Sequence, residues 1–222
     1  MKRYKMTVVA MLLSLATQLG AEQADDTVLI AAEVIVKFAQ QEPVSAEITK
    51  VVIGEPTASQ AGSAIRTYVS SLSDEIGMPL VYSRATSGRE LVLALRRDVV
   101  LEELARRIRS AKDVKGVEVS LDDAGSPMYR TDELIVEFHR CSDSLRTVSE
   151  ALSGESAADE PATELGAGLV DDSRYQITAR LLADKRLAIG MDWKRTTFAL
   201  VKELSERPEV QYAQPSFVMR AY

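Results

Sequence analysis

Two short segments with nearly the same sequence lie 100 residues apart in this chain of 222 residues. They read EVIVKF at 33–38 and ELIVEF at 133–138. Both runs are rich in β-branched residues, and every second residue is apolar, which is typical of a strand that is buried on one face. An internal repeat at this distance predicts two units with the same layout.

The predicted helices and strands follow these two segments in the same order. Helical segments are indicated by apolar residues three or four positions apart, and strands by short β-branched runs. In the first half they are a helix at 65–76, strands at 80–84 and 91–95, a helix that begins at Asp98, and a strand at 117–119. In the second half they are a helix at 142–152, strands at 175–182 and 187–191, a helix through 198–204, and a strand at 210–212.

The order βαββαβ in each half predicts the architecture. A split β-α-β motif of about 90 residues forms a four-stranded antiparallel sheet with two helices on one face, which is the ferredoxin-like arrangement. We therefore expect an α+β protein of two tandem ferredoxin-like units, at 27–121 and 132–222, joined by a linker at 122–131.

Two stretches fit this layout less well. Residues 40–61 are a long connection between a strand and a helix. Residues 154–168, GESAADEPATELGAG, are small, acidic and without period, so we expect a mobile loop there.

Residues 1–21 have the pattern of a secretory signal peptide. The segment combines a positive start, a short apolar stretch and a small-residue end: Lys2, Arg3 and Lys5, then 8–15, then Gly20-Ala21. The apolar stretch is shorter than the roughly 20 residues that span a bilayer. We expect an exported protein, periplasmic or extracellular, with no stable membrane insertion after cleavage; an uncleaved anchor is the alternative.

The composition argues against several classes of function. A net charge of −6 does not suit a nucleic-acid binder, which needs a basic face for phosphates. The single Cys and single His cannot build a Cys/His metal cluster or an internal disulfide. His139 and Cys141 lie in one turn without a visible third partner, and Asp122-Asp123 and Asp171-Asp172 read as solvated loop charges. We expect no enzyme, no cofactor and no metal.

The last residues of the chain have a pattern that is similar to one in a known protein family. Residues 204–212, LSERPEVQY, read as a helix end followed by a short strand, and 213–222, AQPSFVMRAY, have no helical period and stop at a bulky residue. This order resembles the end of the inhibitory prodomain of subtilisin-like serine proteases, and 133–138 resembles the opening strand of that family. The resemblance covers 133–222 as one prodomain, with 29–121 as a more diverged copy.

The resemblance implies a tail that lies in the cleft of a subtilisin-like serine protease as an added strand. By this likeness Tyr222 would fill the primary specificity pocket and Ala221 the narrow site beside it. Met219 would enter the apolar fourth pocket, and Arg220 would point to solvent. The implied protease-binding residues are Tyr222, Ala221, Arg220, Met219, Val218, Phe217, Ser216, Gln214 and Tyr212. The sheet of the second unit would rest on the protease surface.

We expect no protease domain after Tyr222, so the chain would act in trans as an inhibitor and folding chaperone, like the external chaperones of some bacterial subtilases. The match departs from the family at Gln214, Pro215 and Ser216, where acidic residues are usual. The alternative is a non-catalytic periplasmic binding or structural module built of two ferredoxin-like domains.

Overall fold

The computed structural model describes residues 30–121, 132–153 and 159–216. In these residues the chain is an α+β protein with two four-stranded antiparallel sheets and six helices. The predicted signal peptide and the linker at 122–131 lie outside the described residues.

The elements follow the predicted order, with one additional helix in each half. The first half contains β1 (Ile30–Phe38), α1 (Pro43–Ile53), α2 (Ala58–Ile76), β2 (Leu80–Ala85), β3 (Leu91–Arg96), α3 (Arg97–Arg109) and β4 (Val114–Ser120). The second half contains β5 (Glu133–Phe138), α4 (Asp143–Ser153), α5 (Asp159–Val170), β6 (Ile177–Leu181), β7 (Leu187–Met191), α6 (Trp193–Ser205) and β8 (Val210–Pro215).

Each sheet takes its closing strand from the opposite half of the chain. The first sheet has the order β2-β3-β1-β8, and the second has the order β4-β5-β7-β6. The two exchanged strands occupy equivalent places, because Val210 pairs with Phe38 and Val114 pairs with Phe138. This arrangement differs from the expectation that each half closes its own sheet.

The short connections before the exchanged segments give a physical reason for the exchange. β3 ends at Arg96 and α3 begins at the next residue, while only Asp192 separates β7 from α6. A crossover that returns to its own sheet usually contains a loop of several residues in which the chain reverses. Short hinges of this kind favour exchange of an element between neighbouring units.

Both sheets pack their helices on one face. On β1 the residues Val34, Val36 and Phe38 are buried, and the intervening positions are only partly covered. β5 repeats the alternation, which confirms the strand predictions at 33–38 and 133–138. α2 and α6 pack on the first sheet, and α3 and α5 on the second, so the buried side chains of both halves form one continuous core.

A buried polar cluster joins the two points at which the chain passes between the sheets. Arg97 begins α3, Trp193 begins α6, and Asp132 directly precedes β5. Asp132 accepts a bond of 2.6 Å from Arg97 Nε, a second bond from Arg97 Nη2, and one of 2.8 Å from Trp193 Nε1. All three side chains are fully buried. Trp193 is therefore a core residue of this junction.

Two helices lie where the sequence did not predict them. α1 occupies the long connection at 40–61; Pro43 stands in its first turn, and Gly54 ends it with φ +68°. α5 covers most of 154–168, where we expected a mobile loop, although 154–158 lie outside the described residues. Ala162 and Val170 are buried at this helix, which packs against β6, so tertiary packing compensates for its weak apolar period.

Asp172 also differs from the expectation of a solvated loop charge. Its carboxylate accepts bonds of 2.8 Å from Arg107 Nη1 and 2.8 Å from Arg174 Nε. Arg174 Nη1 in turn donates to the carbonyl of Ile76, at 2.9 Å. Because Ile76 and Arg107 belong to the first half, this network ties the two halves together. The bonds from Arg174 and Arg107 lower the pKa of Asp172 to about 2.

Candidate functional site

The structure describes three of the predicted protease-binding residues. Tyr212 and Gln214 belong to β8, and Ser216 follows its last residue. Residues 217–222, which include most of the implied binding residues, lie outside the described residues.

β8 is the edge strand of the first sheet and pairs on one side with β1. Its register places Tyr212 opposite Lys37, Gln214 opposite Ile35 and Pro215 opposite Val34. No other described strand pairs with its outer edge. The strand that leads into the tail is therefore held by residues of the first half of the chain.

The first residues of the expected tail at 213–222 belong to the sheet. Ala213, Gln214 and Pro215 belong to the strand, and the amide of Ser216 still donates to the carbonyl of Glu33, at 2.9 Å. Pro215 is tolerated because it lies on an edge strand, where a missing donor interrupts no central ladder. The described part of the expected tail, Ala213 to Ser216, is therefore bonded to β1.

Tyr212 lies on the sheet face that carries no helices. Its hydroxyl donates to the carboxylate of Glu90, and this bond raises the pKa of Tyr212. Glu90 also accepts a bond of 2.5 Å from Thr86 Oγ1, and these two donors lower its pKa. The strand that leads to the tail is thereby fixed to the hairpin between β2 and β3.

A group of charged and hydroxyl side chains surrounds the end of β8. The carboxylate of Glu33 accepts bonds from Arg84 Nη1 at 2.8 Å, from Arg84 Nη2 at 3.2 Å and from Ser83 Oγ at 3.0 Å. Ser216 Oγ lies 3.5 Å from the same carboxylate. We call these four residues (Glu33, Ser83, Arg84 and Ser216) the Ser216 corner.

The second sheet contains a matching ion pair. Arg180 on β6 donates to Glu133 on β5, with Nη2 to Oε2 at 2.9 Å and Nε to Oε1 at 3.1 Å. Glu133 is the repeat equivalent of Glu33. The exposed fractions of the two arginine side chains are nearly equal, 54% for Arg84 and 55% for Arg180.

The sequence did not single out Glu33, Arg84 or Glu90 as site residues. Period-two alternation places Glu33 on the face opposite the core, which is the available signal for an exposed position. Glu33 lies near Ser216 only because β8 is exchanged. Such a long-range pairing cannot be predicted from local sequence patterns.

The other candidates from the sequence do not assemble into a chemical site in the part of the chain that is described. Cys141 is exposed with a free thiol, and His139 is exposed in the same turn. No group of three metal-ligating side chains occurs among residues 30–121, 132–153 and 159–216. Among the same residues, no helix is long and apolar enough to cross a membrane.

A surface cleft of about 500 Å³ lies beside the turn that precedes β8. Its lining includes Tyr68, Glu75 and Arg207. Burial raises the pKa of Tyr68 to about 12, so its phenol stays protonated at neutral pH. Arg207 is paired with both Glu75 and Glu209. Arg207 therefore links the carboxylate of Glu75 on α2 to that of Glu209 in the turn before β8.

Comparisons of the whole chain with protein-family models, with curated proteins and with solved structures find no significant match.

Proposed function

We propose that this protein is an exported inhibitor, and a folding chaperone in trans, of a subtilisin-like serine protease. The tail at 217–222 would occupy the active-site cleft in the manner of a cleaved product. The observation that supports this proposal is the edge position of β8, the strand that precedes residues 217–222 in the chain.

A rigid support of this kind strengthens binding. β8 is hydrogen-bonded to β1, Ser216 is bonded to Glu33, and Tyr212 is bonded to Glu90. The tail therefore starts from a fixed point and a fixed direction, so that fewer residues lose freedom when it enters a cleft. An extended peptide that pairs with strands at the cleft gains main-chain hydrogen bonds, and its side chains supply specificity.

The product-like mode explains inhibition without turnover. If Tyr222 fills the primary pocket and ends in a carboxylate, there is no scissile bond for the catalytic serine to attack. Ala221 and Met219 would occupy the neighbouring subsites, as the resemblance implies. A folded body would also limit the access of other substrates to the cleft.

We also propose that each sheet with its helices is a ferredoxin-like unit. The strand order β2-β3-β1-β8 is that of a split β-α-β unit whose closing helix and strand come from the other half. The second sheet has the equivalent order with α3 and β4 as its closing segment.

The test is a titration of a subtilase that cleaves after aromatic residues, with a chain that ends at Tyr222. We expect inhibition at submicromolar concentration. A chain that ends at Ser216 should inhibit at least 100-fold more weakly, with an unchanged melting temperature, because β8 and Ser216 stay in place. Full protease activity at micromolar inhibitor, or equal inhibition by both chains, would contradict the proposal. Chaperoning is tested separately by recovery of active protease after denaturation.

A further inference from the structure

The length of the tail limits where a protease can touch this protein. Six residues follow Ser216, and an extended chain spans at most about 3.6 Å per residue. A pocket that holds Tyr222 therefore lies within roughly 20 Å of Ser216. The surface around the end of β8 lies within this distance and is the surface from which the tail leaves the sheet.

That surface belongs to the first half of the chain because of the strand exchange. Among the described strands β8 pairs with β1 and with no strand of the second sheet. Glu33, Ser83 and Arg84 provide the side chains beside Ser216. Without the exchange, the residues beside the tail would instead have come from the second half.

Arg84 has unused capacity for hydrogen bonding. A guanidinium has five N–H donors, and the described bonds of Arg84 run only to Glu33 and Ser83. Its side chain is 54% exposed although it is held in a defined orientation by two bonds to one carboxylate. A pre-oriented, exposed guanidinium is suited to bind an oxygen acceptor on a partner.

We infer that the Ser216 corner is the second contact between this protein and the protease. In this contact Arg84 donates to an oxygen acceptor on the rim of the protease cleft. The inference rests on the proposed function and assigns a binding role to the first half of the chain. Glu33 acts as a positioning residue, since it binds both Arg84 and Ser216, the residue that precedes the tail.

The pair of Arg180 and Glu133 provides a matched control. Arg180 has the same type of partner and nearly the same exposed fraction as Arg84. It lies in the second sheet, where the equivalent edge strand is β4 and not β8. A substitution at Arg180 should therefore have the same effect on folding as one at Arg84 but no effect on a partner held by the tail.

The experiment measures how strongly the full chain carrying Arg84→Glu or Arg180→Glu inhibits the subtilase that cleaves after aromatic residues, as an inhibition constant. The melting temperature of each variant is measured as well. We expect Arg84→Glu to raise the inhibition constant at least tenfold and Arg180→Glu to change it less than twofold. Arg84→Ala and Arg180→Ala provide the same comparison if a reversed charge prevents folding, with an expected rise of about threefold or more for Arg84→Ala only.

The outcomes separate the inference from the proposed function. If the unmodified chain inhibits but the Arg84 and Arg180 variants have the same inhibition constant as each other, the inference is overturned and the proposed function stands. The same holds if neither variant differs from the unmodified chain in its inhibition constant. If the variant at Arg180 alone weakens inhibition, the second sheet is the contact and the inference is again overturned. If the unmodified chain does not inhibit, both fail.

Discussion

At the scale of single residues, Gly54 and Gly77 have the same backbone conformation in different surroundings. Both have φ +68°, which favours glycine. A Cβ at Gly54 would meet nothing within 4 Å, whereas one at Gly77 would overlap the guanidinium of Arg174. Gly77→Ala would therefore displace Arg174 from its bond to Ile76 in addition to straining the backbone.

We expect Gly54→Ala to lower the free energy of unfolding by about 1 kcal/mol and Gly77→Ala by about 2–3 kcal/mol. Urea unfolding of the two variants measures the difference. Equal losses would mean that Arg174 moves aside without cost and that its contact with the end of α2 is unimportant for stability.

The carboxylate of Asp172 predicts a dependence of stability on pH. Its pKa in the folded protein is about 2, below the usual value near 4, because Arg174 and Arg107 favour the charged form. A lowered pKa stabilises the folded state above pH 4, and this contribution is lost as the pH falls toward 2. The contribution is about 2 kcal/mol.

Unfolding of the unmodified protein and of Asp172→Asn at pH 6 and pH 2.5 measures this effect. We expect the unmodified protein to be more stable by about 2 kcal/mol at pH 6 and the gap to narrow at pH 2.5. A gap that is independent of pH would show that the carboxylate contributes through packing alone.

At the scale of the elements, local sequence patterns predicted the helices and strands whose apolar period is clear. The strands at 33–38 and 133–138 and the helix stripe from Ile65 to Ile76 are examples. Ser142 caps the helix that was predicted at 142–152, since its hydroxyl accepts a bond of 3.1 Å from the amide of Leu145. α5 could not be predicted in this way, because burial of small residues such as Ala162 against other elements stabilises it.

The buried cluster at Asp132 stabilises the two points where the chain passes from one sheet to the other, at the starts of α3 and α6. Asp132→Ala would leave the guanidinium of Arg97 buried without its carboxylate, which typically costs about 3–5 kcal/mol. Glu133→Ala, at the next residue, removes the carboxylate of a partly exposed pair and should cost less, about 1 kcal/mol. Denaturant unfolding of both variants tests the contrast, and similar losses would refute a special role for the buried cluster.

At the scale of the whole molecule, the exchange makes the two halves inseparable without unfolding. β8 of the second half pairs with β1 of the first, and β4 of the first half pairs with β5 of the second. Repeat analysis predicted two similar units that each close their own sheet, whereas in the structure each sheet is closed by a strand of the other half. Both pairings satisfy the same local patterns, because Val114 and Val210 occupy equivalent positions.

A cut between the halves tests this arrangement. A recognition site for a sequence-specific protease is inserted within 122–131, and the folded protein is then cleaved there. We expect the two pieces to elute together at the size of the intact protein and to separate only in denaturant. Separation in native buffer would show that each half carries a complete sheet of its own.

The central claim is that the tail occupies the cleft of a subtilisin-like protease. Calorimetric titration of the chain into that protease, free or with its substrate subsites filled by a covalently attached peptide inhibitor, tests this claim most directly. Binding should be tight to the free protease and undetectable to the blocked one. Equal affinity for both forms would place the contact outside the cleft and contradict the account.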